Sequence, residues 1–326
     1  MRAEGPFFDE LTVGQVFPPA PGLTLTDGLA AAHQAIVGNR LALSLDGELA
    51  RAVTGGDRPA SPALVWDVAI GQSTVATRNV KANLFYRGLW FRRVPVIGDT
   101  LRTSTAVAAL RQNRSRPGRA PTGLAALRIT TVDQQNRPVL DFWRGAMLPL
   151  RDPAGSTGHD DDVGRAGAEA READLAGLTG SWNLEAFAGS GPGAPALAPG
   201  DVIEVAGGDV VSSAPELARL TLNVAQVHHD AAAAGGSRLV YGGHTIGLAL
   251  TQAARALPSL VTVAGWHSCD HLAPVREGDT LHSTIEVESL APRPGGAVAG
   301  LRSRVFSSAA PGAEQVLDWR FVAILA

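Results

Sequence analysis

The chain has 326 residues, 45% of them hydrophobic and 18% charged, a profile that fits a globular protein with two domains. Its net charge of −3, with no basic block, leaves no electrostatic footprint for a nucleic acid. The one cysteine, Cys269, excludes a disulfide framework and a thiolate-rich metal site, and no stretch reaches the roughly 20 apolar residues of a membrane span.

The N-terminus, MRAEGPFFDELTVG, has neither the basic start nor the apolar run of a signal peptide, so a cytoplasmic location is expected. VGQVF (Val13 to Phe17) reads as a short strand, and a helix-rich stretch follows it. PVIGDTL (Pro95 to Leu101) predicts a turn feeding a strand, with glycine supplying φ freedom and aspartate a side-chain turn bond. The basic run QNRSRPGR (Gln112 to Arg119) reads as a solvated hairpin tip, and VLDFWR (Val139 to Arg144) closes the first half. Asp152 to about Arg171 is rich in Gly, Ala and Asp without apolar periodicity, which predicts a linker or mobile surface segment with Asp160 to Asp162 as a solvated cluster. Gly189 to Gly200 is Gly- and Pro-rich but lacks a phosphate-loop pattern.

The second half repeats the order of the first. PGDVI (Pro199 to Ile203), PVREGDTL (Pro274 to Leu281) and VLDWR (Val316 to Arg320) match the three earlier segments at offsets of 186, 180 and 177. Three pairs in one order at nearly constant spacing indicate a duplication. Between them, helical patterns run over Ala214 to Val227, with Ser213 and Glu216 spaced as a capping box, and over Thr245 to Leu257. Thr280 to Val287, Gly300 to Phe306 and Val316 to Leu325 read as strands, separated by breaks at Pro292 to Gly296 and at Pro311 to Gly312. An early strand, helices and then long consecutive strands predict an α+β fold with an antiparallel sheet on a helix in each half. The expected division is 1–151, a linker over 152–180, and 181–326.

Chemistry concentrates in Asn223 to Gly247, NVAQVHHDAAAAGGSRLVYGGHTIG. It places a histidine near one helix end, then a Gly-containing loop, then a Gly-Gly pair opening the next helix. Addition of water to a double bond conjugated with a thioester needs a group to handle the water proton and donors aimed at the thioester oxygen. His228 suits the first task, and the Gly243 N–H at a helix start suits the second. Asn223 lies five residues before His228, so a bend or helix end must separate them if they are to converge.

These residues resemble the MaoC-like hydratases, whose signature D-x-N-P-(I/L)-H is followed by H-G at a helix start. His228 falls on the signature histidine and Gly243 on the glycine, while Gly242 replaces the second histidine. Asn223 stands where the family carries its catalytic Asp, and Ala225-Gln226 replaces Asn-Pro. The form Asn223, Ala225, Val227, His228, Asp230, then Arg238, Leu239, Tyr241, Gly242, Gly243, His244, resembles the double-length mesaconyl-CoA hydratase (β-methylmalyl-CoA dehydratase) branch. Ala82 to Tyr86 and the GDTL turn extend the resemblance into the first half.

The resemblance implies a tandem hotdog fold acting on an acyl-CoA, with no cofactor beyond the CoA of the substrate itself and no metal. It implies His228 as acid/base, Asn223 as the residue holding water, and Gly243 as the polarising donor. Asp230, Tyr241, Gly242 and His244 are the expected substrate-binding residues of the second half. The first half has no N-x-x-x-x-H, since Val37 to Gly47 lacks histidine and His33 lies upstream; one active site per chain is expected. Arg40, Asn83, Tyr86 and Arg87 are its candidates for contacting the acyl group, and an Arg fork suits a distal carboxylate. His267, Cys269 and His271 share a face if they lie on a strand, and that face is expected to line the pocket or core instead of binding metal. His229 is expected to face solvent. Homo-oligomers of the double-length chain are a further expectation. A hotdog thioesterase, with Asp230 as its carboxylate, and a non-catalytic acyl-CoA-binding module are the rival readings.

Overall fold

The computed structural model describes residues 5–114, 117–189, 196–308 and 312–326. Ser115 and Arg116 of the hairpin tip, Ser190 to Pro195 of the Gly189 to Gly200 stretch, and Pro311 of the last predicted break lie outside the described residues.

The first half runs β1 (Val16–Phe17), β2 (Leu23–Thr24), α1 (Asp27–Val37), α2 (Ala42–Leu45), α3 (Gly47–Thr54) and α4 (Pro62–Ser73). Four long strands follow: β3 (Ala82–Phe91), β4 (Thr100–Gln112), β5 (Thr122–Val132) and β6 (Pro138–Pro149). After α5 (Leu175–Thr179) and α6 (Leu184–Ala188), the pattern returns with β7 (Val202–Glu204), β8 (Asp209–Val210), α7 (Ala214–Leu220) and α8 (Gly242–Ala256). It closes with β9 (Leu260–His271), β10 (Thr280–Arg293), β11 (Gly296–Ser307) and β12 (Glu314–Leu325).

The strands form one antiparallel sheet ordered β1-β4-β5-β6-β3-β9-β12-β11-β10-β7. Its two halves mirror each other about the β3–β9 seam, where Tyr86 pairs with Cys269 and Trp90 with Gly265. This is a double hotdog: each half wraps its strands on one central helix, α4 or α8, and the two helices pack together. All twelve residues of α4 are buried, which explains why its apolar side chains run round the whole helix instead of along one stripe. Trp66 of α4 stacks edge-on against Trp266 of β9 (4.8 Å) and Trp319 of β12 (6.0 Å), so one side chain of the first half's helix joins the second half's core.

The duplication extends to single bonds. Gly98 and Gly278 both take positive φ (104° and 95°), and Asp99 and Asp279 accept from the N–H groups of Val96 and Arg276 at 3.0 and 2.9 Å. Gln72 of α4 donates to Leu101 O (3.0 Å), and Gln252 of α8 donates to Leu281 O (2.8 Å), pinning each post-turn strand to its central helix.

Four expectations change. The predicted helix over Ala214 to Val227 ends at Leu220, because Leu222 takes a left-handed φ of 60° and Asn223 turns the chain with its own side chain. Ser213 does not cap it: Ser213 is itself left-handed, and Glu277 Oε1 accepts from the Ala214 N–H instead, at 3.1 Å. The Asp152 to Arg171 segment is no loose surface linker. Val163 is buried in a short 3-10 turn, Asp161 accepts from Leu110 N (2.8 Å), and Arg92 donates to Arg171 O (2.8 Å). The strand break predicted at Pro292 to Gly296 is tighter than expected, so β10 runs on to Arg293 and β11 begins at Gly296.

Candidate active site

Where α7 stops, the chain folds back on itself. Asn223 Oδ1 accepts from Ala225 N at 3.0 Å, a side-chain turn that asparagine forms readily. Val224 N donates to Thr74 Oγ1 (2.8 Å), and Gln226 N to Arg78 O (2.9 Å), so the first half holds this loop in place. A 3-10 turn over Gln226–His228 then carries His228. Of the bend or helix end expected between Asn223 and His228, the bend is present as the Asn223 side-chain turn, while the helix stops earlier, at Leu220; both residues line one cavity of about 590 Å³.

His228 Nδ1 lies 2.9 Å from the carbonyl of Leu239, whose N–H in turn donates to Val227 O at 3.0 Å. A carbonyl only accepts, so Nδ1 carries the proton and Nε2 keeps its lone pair for the cavity. Burial is the main cause that pushes the His228 pKa down, to about 4, with the charge of Arg144 contributing; the ring is neutral at neutral pH. Asn223 is buried, and its Nδ2 has no partner. A base lone pair and a free amide donor thus face the same space.

Tyr241 precedes α8 and its hydroxyl donates to the backbone carbonyl of Asp67 in α4 (2.9 Å). Gly242 lines the cavity, and a Cβ there would lie 2.7 Å from His271 Nε2. Gly243 does not line it; a Cβ there would come within 1.9 Å of Asp67 Oδ1. The reason for glycine at 243 is therefore the α4 contact, not access for a substrate carbonyl. Neither glycine N–H has an acceptor among the described residues, as the first donors of a helix require of their surroundings.

Other expected residues separate into two groups. Asn83 and Tyr86 line the cavity, and Asn83 keeps both amide atoms buried without partners. Asp230, His244, Arg40 and Arg87 do not line it. Asp230 is exposed, accepts from Ala232 N (2.8 Å) and borders a different cavity beside His229. His244 is enclosed in the core with both ring nitrogens unpartnered, and burial lowers its pKa to about 4. Arg40 is exposed, and Arg87 pairs with Asp270 at 2.7 Å on the outer side of the seam. His229 is half-buried instead of solvent-facing, its Nε2 donating to Asn223 O at 2.7 Å.

On β9, Cys269 is buried and His271 lines the cavity, but His267 falls on a bulge and points outward toward Glu172. The shared face is broken by that one extra residue. Among the described residues no group of three or more His, Cys, Asp and Glu is placed to hold a metal ion.

Arg144, Thr74, Thr245, Lys81, Arg119 and Arg276 line the cavity without having been singled out. Arg119 belongs to the hairpin read as merely solvated. The first half also retains a remnant site. Asn39 Oδ1 accepts from Leu41 N (3.2 Å), as Asn223 does from Ala225, and Ser44 stands five residues on where His228 would be. Both line a smaller cavity of about 320 Å³.

No family model matches the chain. It is 30% identical over 321 residues to the mesaconyl-CoA hydratase of Cereibacter sphaeroides, covering 92% of this chain and 88% of that one. It is 29% identical over 293 residues to the β-methylmalyl-CoA dehydratase of Chloroflexus aurantiacus, with 87% and 82% covered. A solved protein of Mycobacterium tuberculosis with a double hotdog fold superposes with a TM-score of 0.93 at 55% identity, each chain covered completely. A MaoC domain protein dehydratase from Chloroflexus aurantiacus superposes at 0.82 with 25% identity, over 98% of this chain and 97% of that one. Full-length likeness in sequence joins a shared double-hotdog architecture, and the chain belongs to the mesaconyl-CoA hydratase and β-methylmalyl-CoA dehydratase family of MaoC-like proteins.

Proposed function

We propose that the protein is a carbon–oxygen lyase that adds water to, or removes it from, the α,β-bond of a short branched or dicarboxylic enoyl-CoA. The observation carrying this reading is the locked tautomer of His228, which leaves Nε2 as a base in a cavity that Asn223, with its unpartnered Nδ2, also lines. Asn223 holds the water through its amide N–H, and His228 Nε2 takes the water proton as the oxygen bonds to the β-carbon. The same proton returns to the α-carbon as the enolate collapses. The free N–H of Gly242 at the start of α8, which borders the cavity, stabilises the charge on the thioester oxygen. Lys81, Arg119 and Arg276, exposed or half-buried around the cavity, supply cations for the phosphates of CoA.

The thioesterase rival needs a carboxylate, and no Asp or Glu lines this cavity. The direct test follows absorbance of the enoyl thioester together with thiol release. Loss of the conjugated double bond without free thiol is expected. His228→Ala should lower kcat/KM by about 10² to 10⁴. Thiol release with the unsaturation intact, or unchanged turnover in His228→Ala, overturns the reading.

A further inference from the structure

The repeated segments VLDFWR and VLDWR differ by one residue, and that residue decides the direction of an arginine. Along a strand side chains alternate between faces, so one insertion moves everything beyond it to the other side. In β12, Asp318 pairs outward with Arg302 (2.5 Å), Trp319 enters the core, and Arg320 pairs outward with Glu288 (2.8 Å). In β6, Asp141 likewise pairs outward with Arg128 (3.0 Å), and Phe142 enters the core. The additional Trp143 then takes the outer face beneath Arg128, and Arg144 turns inward.

Arg144 is only 2% exposed and lines the active-site cavity opposite Tyr86 of β3. Its Nη2 donates to Thr77 Oγ1 (2.6 Å) and Ser73 O (3.2 Å), both neutral, and its Nε has no partner. It forms no ion pair with any described carboxylate. A buried, uncompensated guanidinium is costly to the folded protein, and such a cation persists where an anion completes it. Asn83, with both amide atoms unpartnered, lines the same cavity.

We propose that Arg144 is the specificity-determining residue of this cavity, receiving a free carboxylate at the acyl end of the substrate, with Asn83 as a second donor. This deepens the acyl-CoA reading given above and rests on it. The substrate is then a CoA thioester of a short unsaturated dicarboxylic acid. Because Arg144 and His228 line the same cavity, the carboxylate that Arg144 holds shares that space with the reacting carbons.

The test compares mesaconyl-CoA with tiglyl-CoA, which carries a methyl where the first carries the carboxylate. Calorimetric binding is measured in a His228→Ala background to prevent turnover, and hydration is measured with Arg144 variants of the otherwise intact protein. Binding of mesaconyl-CoA is expected to be at least about 100-fold tighter than that of tiglyl-CoA. Arg144→Gln should erase this preference while leaving tiglyl-CoA binding within about threefold. Should Arg144→Gln fail to fold, Arg144→Lys keeps the charge without the fork and should weaken mesaconyl-CoA alone, by about tenfold. Equal or tighter binding of tiglyl-CoA, or an equal loss for both thioesters in either variant, overturns the assignment. A carboxylate preference dependent on Arg144 but without hydration leaves the assignment standing and overturns the hydratase reading. Hydration of tiglyl-CoA at least as fast as mesaconyl-CoA does the reverse.

Discussion

A histidine that works as a base must be neutral and must present the correct nitrogen. His228 meets both conditions through two different causes. The Leu239 carbonyl selects the tautomer, and burial holds the pKa near 4. Activity is therefore expected to stay level from pH 9 down to about 5 and to fall only as the pH approaches 4. An acid limb near 6.5 in the pH dependence of kcat/KM would mean that His228 titrates like an exposed histidine, against this account. Asn223 explains why the value can stay so low, since no carboxylate lies beside the ring to hold the imidazolium. Placing one there by Asn223→Asp should move the acid limb upward by one unit or more, since an anion within a few ångströms favours the cation. A limb that does not move would show that the two side chains do not share the site.

At the level of elements, the active site is a meeting of chain ends. The 3-10 turn bearing His228 is tied by backbone bonds to Leu239, and the start of α8 is tied by Tyr241 to α4. Gly243 is the tightest point of that arrangement. Replacing it by alanine forces a methyl against Asp67 Oδ1, whose other oxygen is held at 2.9 Å by buried His33. Because that carboxyl has nowhere to retreat, Gly243→Ala is expected to cost about 1–3 kcal/mol of stability, measured by denaturant unfolding. It should also reduce turnover by shifting the α8 N-terminus. A variant of wild-type stability would mean that α4 and α8 slide past one another freely. The bulge on β9 is a second element-level device, since it separates His267 from His271 and leaves only the latter at the cavity.

The whole molecule buries several titratable groups that have no ion-pair partner among the described residues. Burial lowers the pKa values of His228, His244 and His271 to about 4 each, below the 6.5 of a free side chain. Between these values the unfolded chain binds protons that the folded chain refuses, so stability is complete above pH 6.5 and declines as pH falls toward 4. Each group contributes on the order of 3 kcal/mol over that window by linkage. Together these approach the whole stability of an ordinary domain, so cooperative acid unfolding is expected between pH 4 and 5. His271→Phe should move its midpoint to lower pH. Stability that stays flat from pH 7 to pH 4 would contradict the burial of these rings.

How much was legible in the chain alone follows from the range of the interactions concerned. The duplication, the α+β order and the glycine-aspartate turns are local patterns, and the paired GDTL segments carried them without tertiary help. That His228 and Asn223 border one cavity was legible too, because a motif six residues long fixes its own turn. Arg144 was not, although it sits in a segment already recognised as repeated. Its direction depends on strand register, and its significance depends on the absence of a carboxylate across the cavity, a fact about neighbours distant in sequence. That Arg40, Arg87, Asp230 and His244 lie off the cavity was hidden for the same reason, since composition and spacing supply the residue types while packing decides which side of a strand or helix each one faces. The sequence by itself therefore determined the double fold and the turn that carries His228. Only the assembled sheet decided which charge the substrate meets, because a one-residue change in alternation reverses a side chain without altering the motif that contains it.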